Sequence, residues 1–321
     1  MHGRIRVELV GGLGNQLNCY FAGLYYAMEY GYSEIVFNFG TANELHLHPK
    51  VLKSTIPKIV EYNGGKRIYT SIMDKPRNAK LIGKIRKLGE VPYGIYKFFG
   101  GKFEDGPLIH LDSCQYHNFC DLNLIRLGIK FKRNLVLDGF FQSFRFYDLA
   151  RKKVPDVESL ISFTHIGYDL TNLRSFKSIE NISRCTVHLR VGDYDTPGQE
   201  VFGVLSESYY LKAIELVLKR YPGIEIKILS DNEILANRLY PNLIKISHGF
   251  YEGLDTKSPL ESFEIIKNSL VVISANSGFS LWACKLSSVV QLCIIPYKPH
   301  KTLSGFRDIP ESWVKIENGF F

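Results

Sequence analysis

The stretch CTVHLRVGDY, residues 185–194, sets the architecture of this chain. Its first five residues are mostly apolar and predict a buried strand, and Gly192 permits a tight turn directly after it. Arg190 therefore lies where the strand ends and where a ligand can bind. A guanidinium stays charged at neutral pH, and its planar fork of donors suits phosphate oxygens. A structural Arg–Asp pair that closes the turn is the alternative, and this segment does not distinguish the two.

The C-terminal half continues this rhythm of strands and helices. The apolar patterns predict strands at 185–189, 224–229, 243–246, 270–274 and 289–295. Helical periodicity lies between them, at 208–220, 233–239, 259–267 and 279–286. Alternation at this spacing predicts a doubly wound parallel sheet that binds ligands at the carboxyl ends of its strands.

The N-terminal half begins with a second α/β unit. A strand-like segment at 5–10, a glycine turn, a helix at 16–30 and a strand at 34–39 predict a βαβ unit with a right-handed crossover. The pattern then weakens over 41–134, which predicts irregular insertions around the sheet. A strand at 135–139 and a helix at 144–152 resume the pattern.

Composition describes a globular protein without selecting one partner. The 321 residues are 45% hydrophobic, which is enough for two domains with separate cores. Forty Lys and Arg against 32 Asp and Glu give a net charge of +8, which fits a nucleotide phosphate, an anionic membrane surface or nucleic acid. For the basic, aromatic stretch 75–102, a solvated face is favoured over a polyanion-binding or membrane-binding surface.

Cysteine usage and hydropathy predict a cytoplasmic protein. The six cysteines form no CxxC pair and no metal-ligand spacing, which indicates buried thiols in a reducing compartment. No apolar run is long enough to span a bilayer, and the strand-like segment begins so early that we expect no signal peptide. We expect at most a peripheral association with the inner face of the membrane.

The glycine turn GGLGNQL at 11–17 comes close to the dinucleotide-binding fingerprint GxGxxG. Leu17 replaces the third glycine, and the second strand reaches Asn38 rather than an acidic residue, so a nicotinamide enzyme is disfavoured. The turn still allows a ligand to approach the backbone, and the helix N-terminus favours anions or sugar hydroxyls. A plain tight turn with Asn15 as the helix cap is an equally good explanation.

Two further turns carry polar groups where predicted strands end. Ser274, Asn276 and Ser277 lie between a strand and a helix, where unpaired backbone N–H groups can cradle a phosphate without a metal. Asp231 follows another strand and suits ribose or base contacts. A polar helix cap and ordinary turn chemistry are the respective alternatives.

Asp193, Asp195 and His188, in or next to the opening stretch, suggest less. Asp193 and Asp195 form an acid-x-acid pair of the kind that holds a divalent metal in some sugar transferases. Arg190 already supplies the positive charge that a metal would bring, so we expect no metal site. His188 lies inside the strand, where a hydrogen-bonded core histidine is favoured over a general base.

Together these turns resemble a known family, the bacterial-type α-1,2-fucosyltransferases of glycosyltransferase family 11, related more broadly to α-1,6- and protein O-fucosyltransferases. The resemblance is carried by residues 11–17, 137–143, 188–194, 274–282 and 309–313. One position departs from the family pattern, which commonly has a second arginine directly after the first. Here that position is Val191, which affects secondary donor contacts or acceptor choice.

The resemblance implies an α/β fold of GT-B type, with two facing Rossmann-like domains. Residues 1–165, including the irregular insertion 41–134, would form the acceptor side, and residues 166–321 would bind GDP-fucose. The implied reaction is an inverting transfer of fucose to a galactose 2-hydroxyl, without a metal or other cofactor. The alternatives are another fucosyl linkage, another sugar-nucleotide transferase and, outside this class, a non-enzymatic polyanion-binding protein.

The resemblance also implies the site residues. Arg190 would stabilise the departing diphosphate, and Asp193 would act as a base or orient Arg190. Orientation is favoured, because a carboxylate beside a guanidinium is a weak base. The donor would be bound by Gly12, Gly14, Asn15, Gln16, His188, Arg190, Asp231, Ser274, Asn276, Ser277 and Phe279. The acceptor would be a galactose-containing oligosaccharide, lipid-linked during assembly of a bacterial glycan such as an O antigen; no nucleic acid is expected.

Overall fold

The structure is a computed structural model that divides the chain into two compact units, Met1–Ser162 and Phe163–Phe321. It describes residues 4–9, 11–32, 34–38, 48–49, 58–62, 102–103, 106–113, 134–155, 157, 161–162, 184–192, 202–251, 259–301, 306 and 308–321. The basic stretch 75–102 lies outside these ranges, except for its last residue. The unit boundary falls three residues before the domain boundary expected from the sequence.

The first unit is built on a six-stranded sheet. Its elements are β1 (Arg4–Glu8), α1 (Leu13–Tyr30), β2 (Glu34–Asn38), β3 (His48–Pro49), β4 (Lys58–Tyr62), β5 (Lys102–Phe103), β6 (Gly106–Ser113), β7 (Asn134–Gly139), α2 (Arg145–Lys153) and β8 (Ile161–Ser162). The sheet order is β4-β2-β1-β7-β6-β5, and all neighbours are parallel except β5 and β6. β3 and β8 form a separate antiparallel pair. The predicted βαβ unit is confirmed.

Helix α1 packs its aromatic side chains on the sheet and on α2. Tyr20 stacks on Phe37 of β2 at 5.0 Å between ring centroids, and Phe21 meets Tyr147 of α2 edge-on at 4.9 Å. The helix ends at Gly31, whose φ of +68° suits a residue without a Cβ. This packing holds α1 against β2 and α2.

The prediction of an irregular insertion over 41–134 is wrong for two of its segments. β4 pairs with β2 over five residues, and β6 pairs with β7 over six. β4 is only five residues long and carries Lys58 and Glu61, and β6 begins with Gly106 and Pro107 and carries Asp112, so periodicity gives a weak signal. Pairing with strands from distant parts of the chain defines them as strands.

The second unit contains a five-stranded, fully parallel sheet in the order β10-β9-β11-β12-β13. Its elements are β9 (Arg184–Leu189), α3 (Glu207–Arg220), β10 (Glu225–Ser230), α4 (Glu233–Leu239), α5 (Pro241–Ile246), α6 (Pro259–Lys267), β11 (Val271–Ile273), α7 (Gly278–Lys285), β12 (Leu292–Pro296) and β13 (Val314–Ile316). The predicted parallel α/β sheet is confirmed, and β13 is an additional strand that was not predicted.

The strand predicted at 243–246 is wrong, because these residues belong to helix α5. Pro241 occupies the first turn, where its missing N–H costs nothing. The Glu207 carboxylate, from the start of α3, accepts the backbone N–H groups of Asn242 at 2.7 Å and Leu243 at 2.8 Å. A side chain that is distant in sequence thus caps α5, and short-range periodicity carries no sign of it.

The two faces of the C-terminal sheet carry different side chains from β9. The alternate β9 residues Cys185, Val187 and Leu189 are fully buried in an apolar core that includes Tyr209 and Tyr210 of α3. Alternation along the strand directs Thr186 and His188 to the opposite face. The cysteines in the described ranges are buried thiols, as expected: Cys19, Cys185, Cys284 and Cys293. In those ranges, no helix combines the length and apolar character that crossing a bilayer requires.

Candidate functional site

Three polar turns leave the same edge of the C-terminal sheet. β9 lies between β10 and β11, with Leu189 in register with Ser230 and Val187 in register with Ile273. The segments after these strands therefore emerge side by side at their carboxyl ends, the edge at which open α/β sheets bind ligands. The structure brings together the three junctions that the sequence pointed to.

Asp231 holds the turn that carries Arg190. Its Oδ1 accepts the backbone N–H groups of Val191 at 2.8 Å and Gly192 at 3.1 Å, and its Oδ2 lies 3.4 Å from Nε of Arg190. Both carboxylate oxygens are thus used within the protein. Asp231 therefore positions Arg190, and its expected contact with the nucleotide stays a prediction. Asp193, which we expected to orient Arg190, lies outside the described residues.

Gly192 and Val191 explain how the turn fits around Asp231. A Cβ at Gly192 would lie 3.2 Å from Oδ2 of Asp231 and 3.3 Å from its Cγ, so glycine lets the carboxylate approach closely. The Val191 side chain is fully buried in the apolar core. Val191 therefore serves packing, and the single guanidinium of Arg190 carries the positive charge of this turn.

His188 is buried and electrically neutral at physiological pH. Its exposed fraction is 5%, and burial lowers its pKa to about 4; Arg190 lowers it as well, while Asp231 opposes the shift. Its Nδ1 has no hydrogen-bond partner among the residues that the structure describes. The buried location agrees with the expected core histidine, and Nδ1 is a buried polar atom whose hydrogen-bonding capacity is unused in the described residues.

The lowered pKa values of His188 and His300 predict that the folded protein loses stability in acid. An unfolded histidine binds a proton near pH 6.5, whereas burial lowers the pKa of both His188 and His300 to about 4. Between these values the unfolded chain binds more protons, so the free energy of unfolding falls as pH falls, by about 1.4 kcal/mol per pH unit for each histidine. Urea unfolding between pH 7 and pH 4.5 measures this dependence.

The His188→Gln variant tests the share of one histidine in that dependence. Its free energy of unfolding should change less with pH than that of the wild type, because glutamine does not titrate. Carboxylates contribute equally to both proteins and cancel in the comparison. Identical pH profiles would contradict the assignment of a depressed pKa to His188.

Ser274 stabilises the turn after β11 from within. It is fully buried, and its hydroxyl donates to the carbonyl of Ala275 at 2.8 Å and lies 2.7 Å from the hydroxyl of Ser280. The Ser274 hydroxyl therefore has a structural role within the turn, and its expected phosphate contact stays a prediction. Ser277 is the N-cap of α7, where its hydroxyl accepts the N–H of Phe279 at 3.3 Å.

Asn276 carries a buried, unsatisfied acceptor at this edge. Its Nδ2 donates to the carbonyl oxygens of Gly203 at 2.9 Å and Phe202 at 3.3 Å, while its buried Oδ1 finds no partner in the described part of the chain. Phe279 is half-buried, and its ring lies 5.9 Å from that of His188. The edge thus combines one guanidinium, two buried unsatisfied polar atoms and an aromatic face.

The glycine turn of the N-terminal unit is held by its own side chains. Gly11 has a φ of +66°, and Gln16, fully buried, donates from Nε2 to the Gly11 carbonyl at 2.8 Å. The N-cap of α1 is Gly12, without a side-chain cap, so the reading of Asn15 as the cap is wrong. Gly14 is buried in the first turn. Gln16 therefore shapes the turn, and Gly12 exposes its backbone at the helix N-terminus.

A strained turn follows β7 in the same unit. Phe141 is buried and adopts a φ of +45°, which is rare for an aromatic residue and often marks a functional turn. The turn lies within the 137–143 stretch that carried the family resemblance. Because β7 pairs with β1, this turn and the glycine turn leave the same sheet edge.

Comparisons with known proteins show the fold. No protein-family model and no curated protein matches the chain. The NodZ α-1,6-fucosyltransferase of Bradyrhizobium, co-crystallised with GDP, is 11% identical; the match covers 89% of this chain and 93% of that one, with a TM-score of 0.50. Arabidopsis thaliana FUT1 with GDP is 14% identical over 90% and 69% (TM-score 0.48), and the Escherichia coli heptosyltransferase WaaC with ADP is 13% identical over 98% and 93% (TM-score 0.40). Each of the two units is built on a mainly parallel sheet with helices, and the chain has the fold of the GT-B glycosyltransferases.

Proposed function

We propose that this chain is a GDP-fucose-dependent fucosyltransferase that inverts the anomeric configuration and needs no metal. The observation that carries the proposal is Arg190, held by Asp231 at the carboxyl end of β9. A guanidinium placed at this edge suits a diphosphate. NodZ, which has the same fold, was solved with GDP and supports the same class of donor.

The transfer step requires charge stabilisation more than covalent chemistry. The acceptor hydroxyl oxygen forms a bond to C1 of fucose while the bond from C1 to the phosphate oxygen breaks. The bonding electrons leave with GDP, and the hydroxyl proton passes to solvent or to a nearby carboxylate. Arg190 is positioned to offset the charge that develops on GDP, and the N-terminus of α7 at Ser277 adds positive potential.

The nucleoside would meet the unsatisfied atoms of the same edge. Oδ1 of Asn276 can only accept, so it would bind an N–H of the base or an O–H of the ribose. Neutral His188 can accept or donate through Nδ1, depending on its tautomer. Phe279 would pack against the nucleoside. Satisfying two buried polar atoms favours binding, because each costs free energy while it stays unpaired.

The finer assignment rests on the sequence resemblance. We assign the acceptor to a galactose-containing oligosaccharide fucosylated at its 2-hydroxyl, and the acceptor-side edge to the turns at 11–17 and 137–143. Gly12, Gly14 and Asn15, at the first of these turns, remain candidate donor contacts, as the resemblance implies. A cytoplasmic enzyme that acts on a lipid-linked glycan such as an O-antigen precursor, at the inner membrane face, fits this assignment. An α-1,6 or O-linked product is the nearest alternative.

A sugar-nucleotide panel tests the proposal. The protein is incubated with GDP-fucose, GDP-mannose, UDP-galactose or ADP-heptose in EDTA, with lactose as the acceptor. We expect binding and turnover of GDP-fucose, no loss of activity in EDTA, and an α-1,2 linkage in the product by NMR. Turnover of another donor instead would overturn the donor assignment. Salt-dependent nucleic-acid binding that survives Arg190→Ala would favour a polyanion-binding protein.

A further inference from the structure

The segment 318–321 pairs through its backbone with the residues that precede α3. Phe320 bridges Leu205 in antiparallel fashion, and the N–H of Phe321 donates to the carbonyl of Val204 at 2.9 Å. The N–H of Ser206 donates to the carbonyl of Gly319 at 3.0 Å. These backbone bonds fix 204–206 in place over a sequence separation of more than a hundred residues.

Two lysines after β12 form hydrogen bonds with the segment 318–321, and one of them also bonds to Phe202. Asn318 accepts the N–H of Lys298 at 2.8 Å and donates to its carbonyl at 3.0 Å. Lys301 donates from Nζ to the carbonyl of Phe321 at 2.7 Å and from its backbone N–H to the carbonyl of Phe202 at 3.4 Å. The segment 318–321 and residues 202–206 therefore form one hydrogen-bonded assembly.

Gly203 is the tightest point of that assembly. Its φ is +73°, and a Cβ there would lie 2.6 Å from Cδ1 of Phe320 and 2.8 Å from Cγ of Lys301. Only glycine fits at position 203, because both the backbone conformation and the ring of Phe320 exclude a side chain. The carbonyl oxygen of the same residue, Gly203, accepts a hydrogen bond from Nδ2 of Asn276 at 2.9 Å.

We propose that the segment 318–321 positions Asn276 for nucleotide binding, with Phe320 as the positioning residue. The amide of Asn276 is oriented by the carbonyls of Phe202 and Gly203, so its unsatisfied Oδ1 is presented in one direction only. Those carbonyls are in turn held by the packing of Phe320 against Gly203. The proposal rests on the proposed function, which places Asn276 at the nucleotide.

The first test compares two glycine variants by calorimetric titration with GDP. Gly203→Ala should raise the dissociation constant of GDP about tenfold, because the carbonyls that orient Asn276 must shift to make room for the methyl group. Gly223→Ala is the matched control: Gly223 has a similar φ of +78° but no atom within 4 Å of its Cβ position, and it lies in the turn before β10. The control should lose stability to backbone strain and keep the wild-type dissociation constant.

The second test keeps the backbone intact and separates positioning from mere stability. Phe320→Ala should raise the KM for GDP-fucose and the dissociation constant of GDP about fivefold to tenfold, while kcat at saturation stays within about twofold because Arg190 is untouched. Phe320→Leu should restore most of the affinity. In an Asn276→Ala background, Phe320→Ala should have no further effect on GDP affinity.

The outcomes distinguish the two proposals. A wild-type protein that does not bind GDP would overturn the proposed function. A wild-type protein that binds GDP, with Phe320→Ala and Gly203→Ala binding it equally well, would overturn the positioning role alone. Fully additive effects of Phe320→Ala and Asn276→Ala would also overturn it, since the two residues would then act separately.

Discussion

Replacing Arg190 with alanine should lower kcat for fucose transfer about a hundredfold or more, because the departing diphosphate loses its guanidinium. Removing one preorganised charge partner of this kind typically costs about 3 kcal/mol of transition-state stabilisation. The protein should stay folded, since the Arg190 side chain is one-third exposed and surface ion pairs add little stability. Steady-state kinetics with GDP-fucose and circular dichroism measure the two effects.

Arg190→Lys is the informative companion variant. Lysine keeps the positive charge but loses the planar fork and the Nε that lies beside Asp231. We expect activity between those of the wild type and Arg190→Ala. Activity of Arg190→Ala close to wild type would remove the diphosphate assignment, whatever the lysine variant shows.

The Asp231→Asn substitution should have the second-largest effect, a loss of about tenfold to thirtyfold in kcat, because Arg190 would lose its orientation. An asparagine can still accept the two backbone N–H groups through its oxygen. It places an amide donor, however, where the carboxylate oxygen now faces Nε of Arg190. The turn should therefore persist while the guanidinium moves, so the circular dichroism spectrum should be unchanged.

The same pair of strands supplies a matched control. Arg184 and Glu225 form an ion pair at the N-terminal ends of β9 and β10, with Nε and Oε2 2.7 Å apart and with side chains about as exposed as those of Arg190 and Asp231. Glu225→Gln should leave kcat unchanged, because this pair lies away from the carboxyl edge. A loss of activity in Glu225→Gln as large as in Asp231→Asn would point to general destabilisation of the strand pair.

A double-mutant cycle closes the test. If Asp231 acts through Arg190, the double variant Arg190→Ala, Asp231→Asn should be no less active than Arg190→Ala, because the orienting residue has nothing left to orient. Additive losses would instead assign Asp231 an independent contact with the donor, as the sequence first suggested.

Local patterns predicted most elements of the C-terminal unit and all three polar turns. The strands at 185–189 and 224–229 and the helices α3, α4, α6 and α7 were found within one or two residues, because each combines an apolar period with a polar or glycine boundary. The failure at 243–246 has a long-range cause, the Glu207 cap on α5. The strands β4 and β6 were missed since their pairing partners lie far along the chain.

The candidate site divides in the same way. That Arg190 follows a buried strand, and that polar turns follow the neighbouring strands, can be read from the residues, because strand and turn preferences are local. Which carboxylate holds Arg190 and which segment orients Asn276 depend on residues that are distant in sequence. The role of Ser274 depends on Ser280, six residues away, whose hydroxyl meets it only in the folded turn. The hydrogen bonds of Asp231 to the turn after β9 form only when β9 and β10 are in register, so the tertiary structure alone assigned that role.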